Sequence, residues 1–234
     1  MNYVLYPRTR VDEIKFLPFY TCDERWALHV VIKRKFFLHL SMLHTWQSSL
    51  DKGHSVRLLL VDFSKAFDRV NHSILFQKLL DRNVPQCLLR WLFSYLSLRQ
   101  QRTRAKRKTS NWQYLNGSMP QGSLLGPLAF LVQIDDLAPG CLTHKYVDDT
   151  KMTEILTSAT SASQMQSFIC TLINWTLEND MRINTSKTKE LVIGPWCHQH
   201  NAASLQTDSG AVERVHDFKL LGVCRLNFVL DKTC

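Results

Sequence analysis

No run of 18 apolar residues occurs in the chain, and its most apolar N-terminal stretch, residues 29–40, is cut by Lys33, Arg34 and Lys35. A membrane-spanning helix is therefore not expected. The N-terminus lacks a signal-peptide pattern, so no secretory leader is expected either. The seven cysteines (Cys22, Cys87, Cys141, Cys170, Cys197, Cys224 and Cys234) are odd in number and share no paired spacing. That argues against a disulfide framework and for a reducing compartment, nuclear or cytosolic. Cys197, His198 and His200 cluster after Pro195, but no second ligand pair lies at zinc-finger spacing. A polar loop is the simpler reading there than a metal knuckle. Repeats and low-complexity linkers are also missing, so organisation has to be read from charge.

The absence that matters most is acidic: residues 82–133 contain no Asp or Glu. Within that span Arg99, Arg102, Arg104, Lys106, Arg107 and Lys108 crowd together, with Trp91, Tyr95, Trp112 and Tyr114 interleaved. A solvated basic hairpin and a phosphate-binding surface are both compatible with this composition. Over the whole chain 29 Lys and Arg face 20 Asp and Glu, a net charge of +9 that favours a polyanionic partner. At 234 residues and 45% hydrophobic content the chain is long and apolar enough to fold around one core.

Period and punctuation give the elements. Residues 56–63 form an apolar run rich in Leu and Val, read as a buried strand with Asp62 at its end. Asn71 is suited to cap a helix carrying Ile74, Leu75, Lys78 and Leu79, and Pro85 opens another carrying Leu88, Leu89, Trp91, Leu92, Tyr95 and Leu96. Residues 145–152 read as a hairpin with Asp148 and Asp149 at its tip. Met165, Phe168, Ile169, Leu172 and Trp175 mark one face of an amphipathic helix, and residues 190–193 a short strand ended by Gly194 and Pro195. A last strand is expected over residues 218–223. Strands alternating with helices point to an α+β or α/β sheet with helices on a face.

The carboxylates carry the chemistry. A buried Asp62 needs compensation, by a structural salt bridge or by a cation. Adjacent Asp148 and Asp149 repel each other unless a cation is shared, so a divalent ion between them and Asp62 would relieve both strains. Asp135 and Asp136 look similar in isolation but lie between Ile134 and Leu137, where they are read as starting a loop. The segment Gly117-Ser118-Met119-Pro120-Gln121-Gly122-Ser123-Leu124-Leu125-Gly126-Pro127 permits close backbone approach. It is not a Walker loop, because no Gly-Lys-Ser or Gly-Lys-Thr follows.

Taken in order, Val61-Asp62-Phe63-Ser64-Lys65-Ala66-Phe67-Asp68, Met119-Pro120-Gln121-Gly122-Ser123 and Tyr146-Val147-Asp148-Asp149 closely resemble palm motifs A, B and C of reverse transcriptases. Asp68-Arg69-Val70-Asn71-His72 and Asn184-Thr185-Ser186-Lys187-Thr188-Lys189 are most similar to the non-LTR (LINE-type) retrotransposon branch, and Phe218-Lys219-Leu220-Leu221-Gly222-Val223 to its primer grip. The resemblance implies an α+β reverse-transcriptase palm, an antiparallel sheet backed by helices, with partial fingers and little or no thumb. Residues 1–49 match poorly and are read as a partial fingers segment, residues 50–223 as the palm and fingers domain, and residues 224–234 as a tail where a thumb would start.

The implied activity is RNA-directed DNA polymerisation with two Mg²⁺ ions, for which Mn²⁺ substitutes, on an RNA template, a DNA primer and dNTPs. The implied metal ligands are Asp62, Asp148 and Asp149. Phe63 would lie by the triphosphate, Phe67 at the steric gate against a ribose 2′-hydroxyl, and Gln121 and Gly122 along the nucleotide pocket. Lys187 matches a motif D lysine that protonates pyrophosphate, with a solvent-exposed lysine as the alternative. Arg99, Arg102, Arg104, Lys106, Arg107 and Lys108 are the expected nucleic-acid contacts, and the nucleus the expected location. A truncated remnant that only binds nucleic acid is the alternative function. A metal-dependent nuclease or phosphatase would leave Phe67 and the Pro120-Gln121-Gly122 loop without a reason.

Overall fold

The computed structural model describes residues 40–105, 108–115, 117–120, 123, 125–158, 160, 162–196, 204–220 and 224–227. Residues from Met42 onward belong to one compact unit, to which everything below refers. The expectations for residues 1–39, for Cys197, His198 and His200, for residues 221–223 of the last strand and for residues 228–234 lie outside the described residues.

The organising element is β1 (Ser55–Val61), all seven residues of which are buried. It lies at the centre of a five-stranded sheet. On one side it pairs antiparallel with β7 (Asp149–Leu156), which pairs with β6 (Leu142–Tyr146). On the other it pairs antiparallel with β8 (Lys189–Ile193), beside which β11 (Glu213–Val215) runs parallel. The sheet is thus mostly antiparallel, and the α+β expectation is met.

Burial on both faces explains why β1 reads as an apolar run rather than an alternation. On one face Val56 and Leu58 pack with Leu191 and Ile193 against Met42 and Trp46 of a helix over residues 42–51 (α1). On the other, Leu59 and Val61 pack into the main core with residues of α2 (His72–Asp81), α4 (Leu125–Ile134) and α5 (Met165–Glu178). Met165, Ile169, Leu172 and Trp175 are the buried stripe of α5, as their spacing predicts.

One charge is buried in β1. Arg57, 3% exposed, donates to Glu190 Oε1 on β8 (2.6 Å) and to Ser163 Oγ (2.6 Å), and Arg214 donates to the same carboxylate from β11. Glu190 is fully buried. Such a cluster stabilises little beyond an apolar isostere, but removing one partner costs about 3–5 kcal/mol because the other charge is stranded.

Asn71 caps α2 as expected, its Oδ1 accepting from the N–H groups of Ser73 and Ile74. Pro85 precedes α3 (Gln86–Leu96), of which only Leu89 and Leu96 are buried. Trp91 and Tyr95 instead stack on each other at the surface, with ring centroids 5.8 Å apart. The periodicity of α3 is therefore wider than its buried stripe.

The end of α4 collects cations. Lys78 donates to Gln133 O and to Asp136, Arg82 to Asp135, and Lys145 to the carbonyls of Ile134, Asp135 and Leu137. These carbonyls are the ones a helix leaves unpaired at its C-terminus, where positive charge is favoured. Burial pushes the ammonium groups of Lys78 and Lys145 below the usual lysine range. Asp135 and Asp136 do start a loop, and their charges are spent on this cap.

β8 ends at Gly194, whose φ is +116° and whose missing Cβ would sit 2.7 Å from Ser55 Cα and 2.9 Å from His54 O. No described helix is long and apolar enough to cross a membrane. Because a side chain at Gly194 meets backbone on a central strand, Gly194→Ala should lose about 2–4 kcal/mol of stability. Urea denaturation checks this; an unchanged midpoint would mean that the β1–β8 edge can yield.

Candidate active site

The first carboxylate is placed by β1. Asp62 is the residue after the strand, half-buried, and its backbone is held from a second segment: its N–H donates to Thr188 Oγ1 (3.2 Å), and its carbonyl accepts from Asn184 N–H (2.7 Å). Ser64 N–H donates to Arg182 O, and Phe63 forms an isolated bridge with Ile183. Residues 182–188 therefore pin the exit of β1 along its length. Lys187 is exposed, in the turn between Asn184 and Thr188. Its neighbour rather than its own side chain touches the Asp62 backbone. Phe63 is buried, its ring 6.2 Å from that of Trp175.

The second and third carboxylates come from the β6–β7 hairpin. Tyr146 pairs with Asp149, so the tip consists of Val147 and Asp148, and Asp149 is the first residue of β7 rather than part of the tip. Val147 adopts a left-handed conformation, φ 53°, which is rare for a β-branched residue and stores strain at the turn. Asp148 is exposed. Burial pushes the Tyr146 phenol above its ordinary range, so it stays protonated at neutral pH.

Register then brings the acids together. Val61 lies opposite Thr150 at the end of the β1–β7 ladder, so Asp62 leaves β1 at the same end of the sheet at which Asp149 enters β7. By the alternation of a strand, Asp149 shares its face with Lys151, and the two are paired: Lys151 Nζ lies 2.6 Å from Asp149 Oδ2. Lys151 is 3% exposed. The repulsion that sequence reasoning assigns to a shared divalent ion is thus relieved, at Asp149, by an ammonium group. Its period-2 relation to Asp149 could have revealed it.

Among the described residues no three His, Cys, Asp or Glu side chains converge as a ready metal cage. Asp62 at the exit of β1, Asp148 at the hairpin tip and Asp149 at the start of β7 are hard oxygen donors, the type of side chain that could hold a divalent cation together with substrate phosphates and water.

A glycine-containing strap completes the site. Residues 117–120 run along the 3₁₀ turn Ala66–Arg69: Met119 N–H donates to Phe67 O (2.8 Å), and Ser118 N–H to Val70 O (3.1 Å). A Cβ on Gly117 would lie 3.2 Å from Val70 O, which explains the glycine. Phe67 is half-buried, its ring 5.1 Å from that of Phe130 and against Gly126. The first and second motifs are therefore joined by backbone hydrogen bonds. Gln121 and Gly122 lie outside the described residues.

With that geometry set, comparison with known proteins is decisive. A family model described as "Reverse transcriptase (RNA-dependent DNA polymerase)" matches residues 25–224. The chain belongs to the reverse transcriptase family. It is 28% identical over 162 residues to "Probable RNA-directed DNA polymerase from transposon BS" of Drosophila melanogaster, covering 64% of this chain and 18% of that protein. It is 26% identical over 199 residues to "RNA-directed DNA polymerase from mobile element jockey" of Drosophila funebris, covering 79% of this chain and 20% of the relative. The chain thus spans about a fifth of the length of these relatives. Within the reverse transcriptases, its likeness is to the non-LTR (LINE-type) branch.

The basic residues expected on nucleic acid separate into two groups. β2 (Gln100–Gln101) pairs with β5 (Gln113–Tyr114), and β3 (Arg104–Ala105) with β4 (Lys108–Thr109), forming an arm in which every described residue from 100 to 114 is exposed. Arg102 lies over Trp112, 4.4 Å from the ring centroid, and Arg104 and Lys108 are on the same arm. Arg99 is different: it is half-buried and directed at Ser118. Lys106 and Arg107 lie outside the described residues.

Thr188 is the residue sequence reading missed at Asp62, because a threonine inside a lysine-rich segment carries no signal of its own. Thr188→Val keeps its shape and leaves the Asp62 N–H without its acceptor. We expect a loss of about 1–3 kcal/mol in chemical denaturation; an unchanged stability would show that the hydroxyl does not hold the end of β1.

Proposed function

We propose that this reverse transcriptase domain catalyses RNA-directed DNA synthesis, joining dNTPs to the 3′-hydroxyl of a DNA primer on an RNA template. The observation that carries this reading is that β1 and β7, paired up to Val61 and Thr150, bring Asp62 and Asp149 to the same end of the sheet, with the Phe67 turn and the strap of residues 117–120 joined by backbone hydrogen bonds. On this reading the five-stranded sheet with α2, α4 and α5 is the palm.

Asp62, Asp148 and Asp149 would hold two divalent cations, Mg²⁺ or Mn²⁺. When bound, these supply the charge that activates a 3′-hydroxyl and offsets the negative charge of the leaving pyrophosphate. The protein's own contribution is placement. The backbone at Phe63 would border the triphosphate, and by family resemblance Gln121 and Gly122 would serve the nucleotide and template pocket. The Phe67 ring, backed by Phe130, closes the space a ribose 2′-hydroxyl would need. Lys187, exposed in its turn, is free to reach pyrophosphate and donate a proton. The arm draws in the phosphate backbone through Arg102, Arg104, Lys106, Arg107 and Lys108, while Trp112 and Tyr114 offer faces for bases. Chromosomal DNA in the nucleus is the proposed place of action.

A binding-only remnant is the second reading. The pairing of Asp149 with Lys151 and the lack of a converged three-ligand cage among the described residues favour it.

Primer extension on an RNA template annealed to a DNA primer, with dNTPs and Mg²⁺ or Mn²⁺, separates the two. Asp148→Asn should lower extension by roughly 100-fold or more while leaving hybrid binding intact. If neither protein extends the primer and both bind it equally, the binding-only reading replaces this one. Phe67→Ala should in addition admit rNTPs; continued exclusion of rNTPs by that variant would remove Phe67 from the gate.

A further inference from the structure

We infer that Arg99 is a positioning residue for sugar selectivity, acting by clamping the strap of residues 117–120 onto the turn that carries Phe67. This rests on the reading of Phe67 as the gate. Sequence composition assigns Arg99 to nucleic-acid binding with its basic neighbours; its surroundings assign it elsewhere.

Ser118 is the point of convergence. Its carbonyl accepts from Nε2 of His72 (2.9 Å) and from Nη2 of Arg99 (3.3 Å), and its hydroxyl accepts from the same arginine nitrogen (3.1 Å). A carbonyl can only accept, so Nε2 of His72 carries the proton in this contact. Ser118 itself is left-handed, φ 71°, a conformation that non-glycine residues seldom hold without external support. Its own N–H goes to Val70 O, and the next N–H, of Met119, goes to Phe67 O. Met119 is 2% exposed. Side-chain donors from α2 and from the residue before the arm thus meet on the carbonyl of the Ser118–Met119 peptide, and the N–H of that same peptide donates to the backbone carbonyl of the gate residue.

The guanidinium is kept there at a cost. Arg99 Nε is buried and finds no partner among the described residues. A cation placed only to meet phosphate would stay in water, where all its donors are satisfied. Arg99 also stands at the root of the arm: its carbonyl accepts from Leu115 N–H (2.9 Å), which closes the hairpin behind Gln100 and Tyr114. It is therefore the joint between the basic arm and the gate. The root of the arm is thus linked to the Phe67 carbonyl by the Arg99–Ser118 hydrogen bonds and the single peptide that joins Ser118 to Met119.

The test compares Arg99→Ala and Arg99→Lys with the unaltered chain in three measurements. These are single-nucleotide incorporation of dNTP against rNTP, hybrid affinity as a function of salt, and hydrogen exchange at the Ser118 and Met119 amides. Arg99→Ala should lower dNTP-over-rNTP discrimination about ten-fold, since a small displacement of a positioning contact suffices. KM for dNTP should rise more than kcat falls, and the two amides should lose protection. Arg99→Lys keeps the charge but not the fork, so it should bind the hybrid as Arg99→Ala and the unaltered chain do and still fail to restore selectivity. Ser118→Ala, which removes only the hydroxyl acceptor, should shift selectivity in the same direction by less, and it serves if Arg99→Ala does not fold. The inference is overturned if Arg99→Ala weakens hybrid binding, lowers the salt slope by about one, and leaves selectivity and amide protection unchanged, because that is the signature of a phosphate contact. No extension by the unaltered chain would overturn the polymerase reading and the selectivity role with it. Loss of protection at Met119 would still establish the clamp, and retained protection would remove that too.

Discussion

Val61 lies opposite Thr150, and from this one antiparallel register the arrangement of the candidate site follows. It brings Asp62, leaving a fully buried central strand, to the same end of the sheet as Asp149, entering a neighbouring one. A slip of one residue would turn every side chain of β7 to the opposite face. Met152 would then leave the main core, and the side chain of Asp149 would change face with it. The apolar cost of moving Met152, together with Leu59, Val61 and their helical neighbours, therefore holds the carboxylates in place. Packing energy far from the site sets the site's geometry.

The remaining parts are attached mostly through backbone groups, with the Thr188 hydroxyl as the side-chain exception. Residues 182–188 take up the N–H and carbonyl of Asp62, and residues 117–120 take up the carbonyls of Phe67 and Val70. Such contacts depend on chain path more than on residue type. Only at a few positions does the path dictate the residue, as at Gly117 against Val70 O and Gly194 against Ser55. Left-handed residues cluster along the same path: Lys65 before the 3₁₀ turn, Ser118 in the strap and Val147 at the hairpin tip. Each is held by its surroundings, and two of the three adjoin a carboxylate or the gate.

Charge is divided between surface and interior. The acid-free span supplies an exposed arm, in which Arg102 rests on Trp112, and one half-buried arginine, Arg99, that serves the strap. Acids outside that span also divide. Glu190 is matched by Arg57 and Arg214, Asp135 and Asp136 are matched at the end of α4, and Asp149 is matched by Lys151. Asp62 is half-buried at the end of β1, and Asp148 is exposed at the hairpin tip.

By itself the sequence determined the elements, the ordered motifs and the family, since these rest on local quantities. A continuous apolar run marked β1, apolar periodicity marked α5, Asn71 and Pro85 marked helix starts, and the residues and order of the three motifs resembled those of reverse transcriptases. It also located the acids and the basic arm, because net charge is additive along a chain. Only tertiary structure decided which member of a set does what. Asp149 became a strand residue paired with Lys151, Arg99 left the basic group to hold Ser118, and Trp91 and Tyr95 stayed at the surface despite helical spacing. The physical reason is that a hydrogen bond or ion pair depends on where two distant segments meet. Ser118 meets Arg99 and His72, and Asp62 meets Thr188, through sheet register and helix packing that no local pattern encodes.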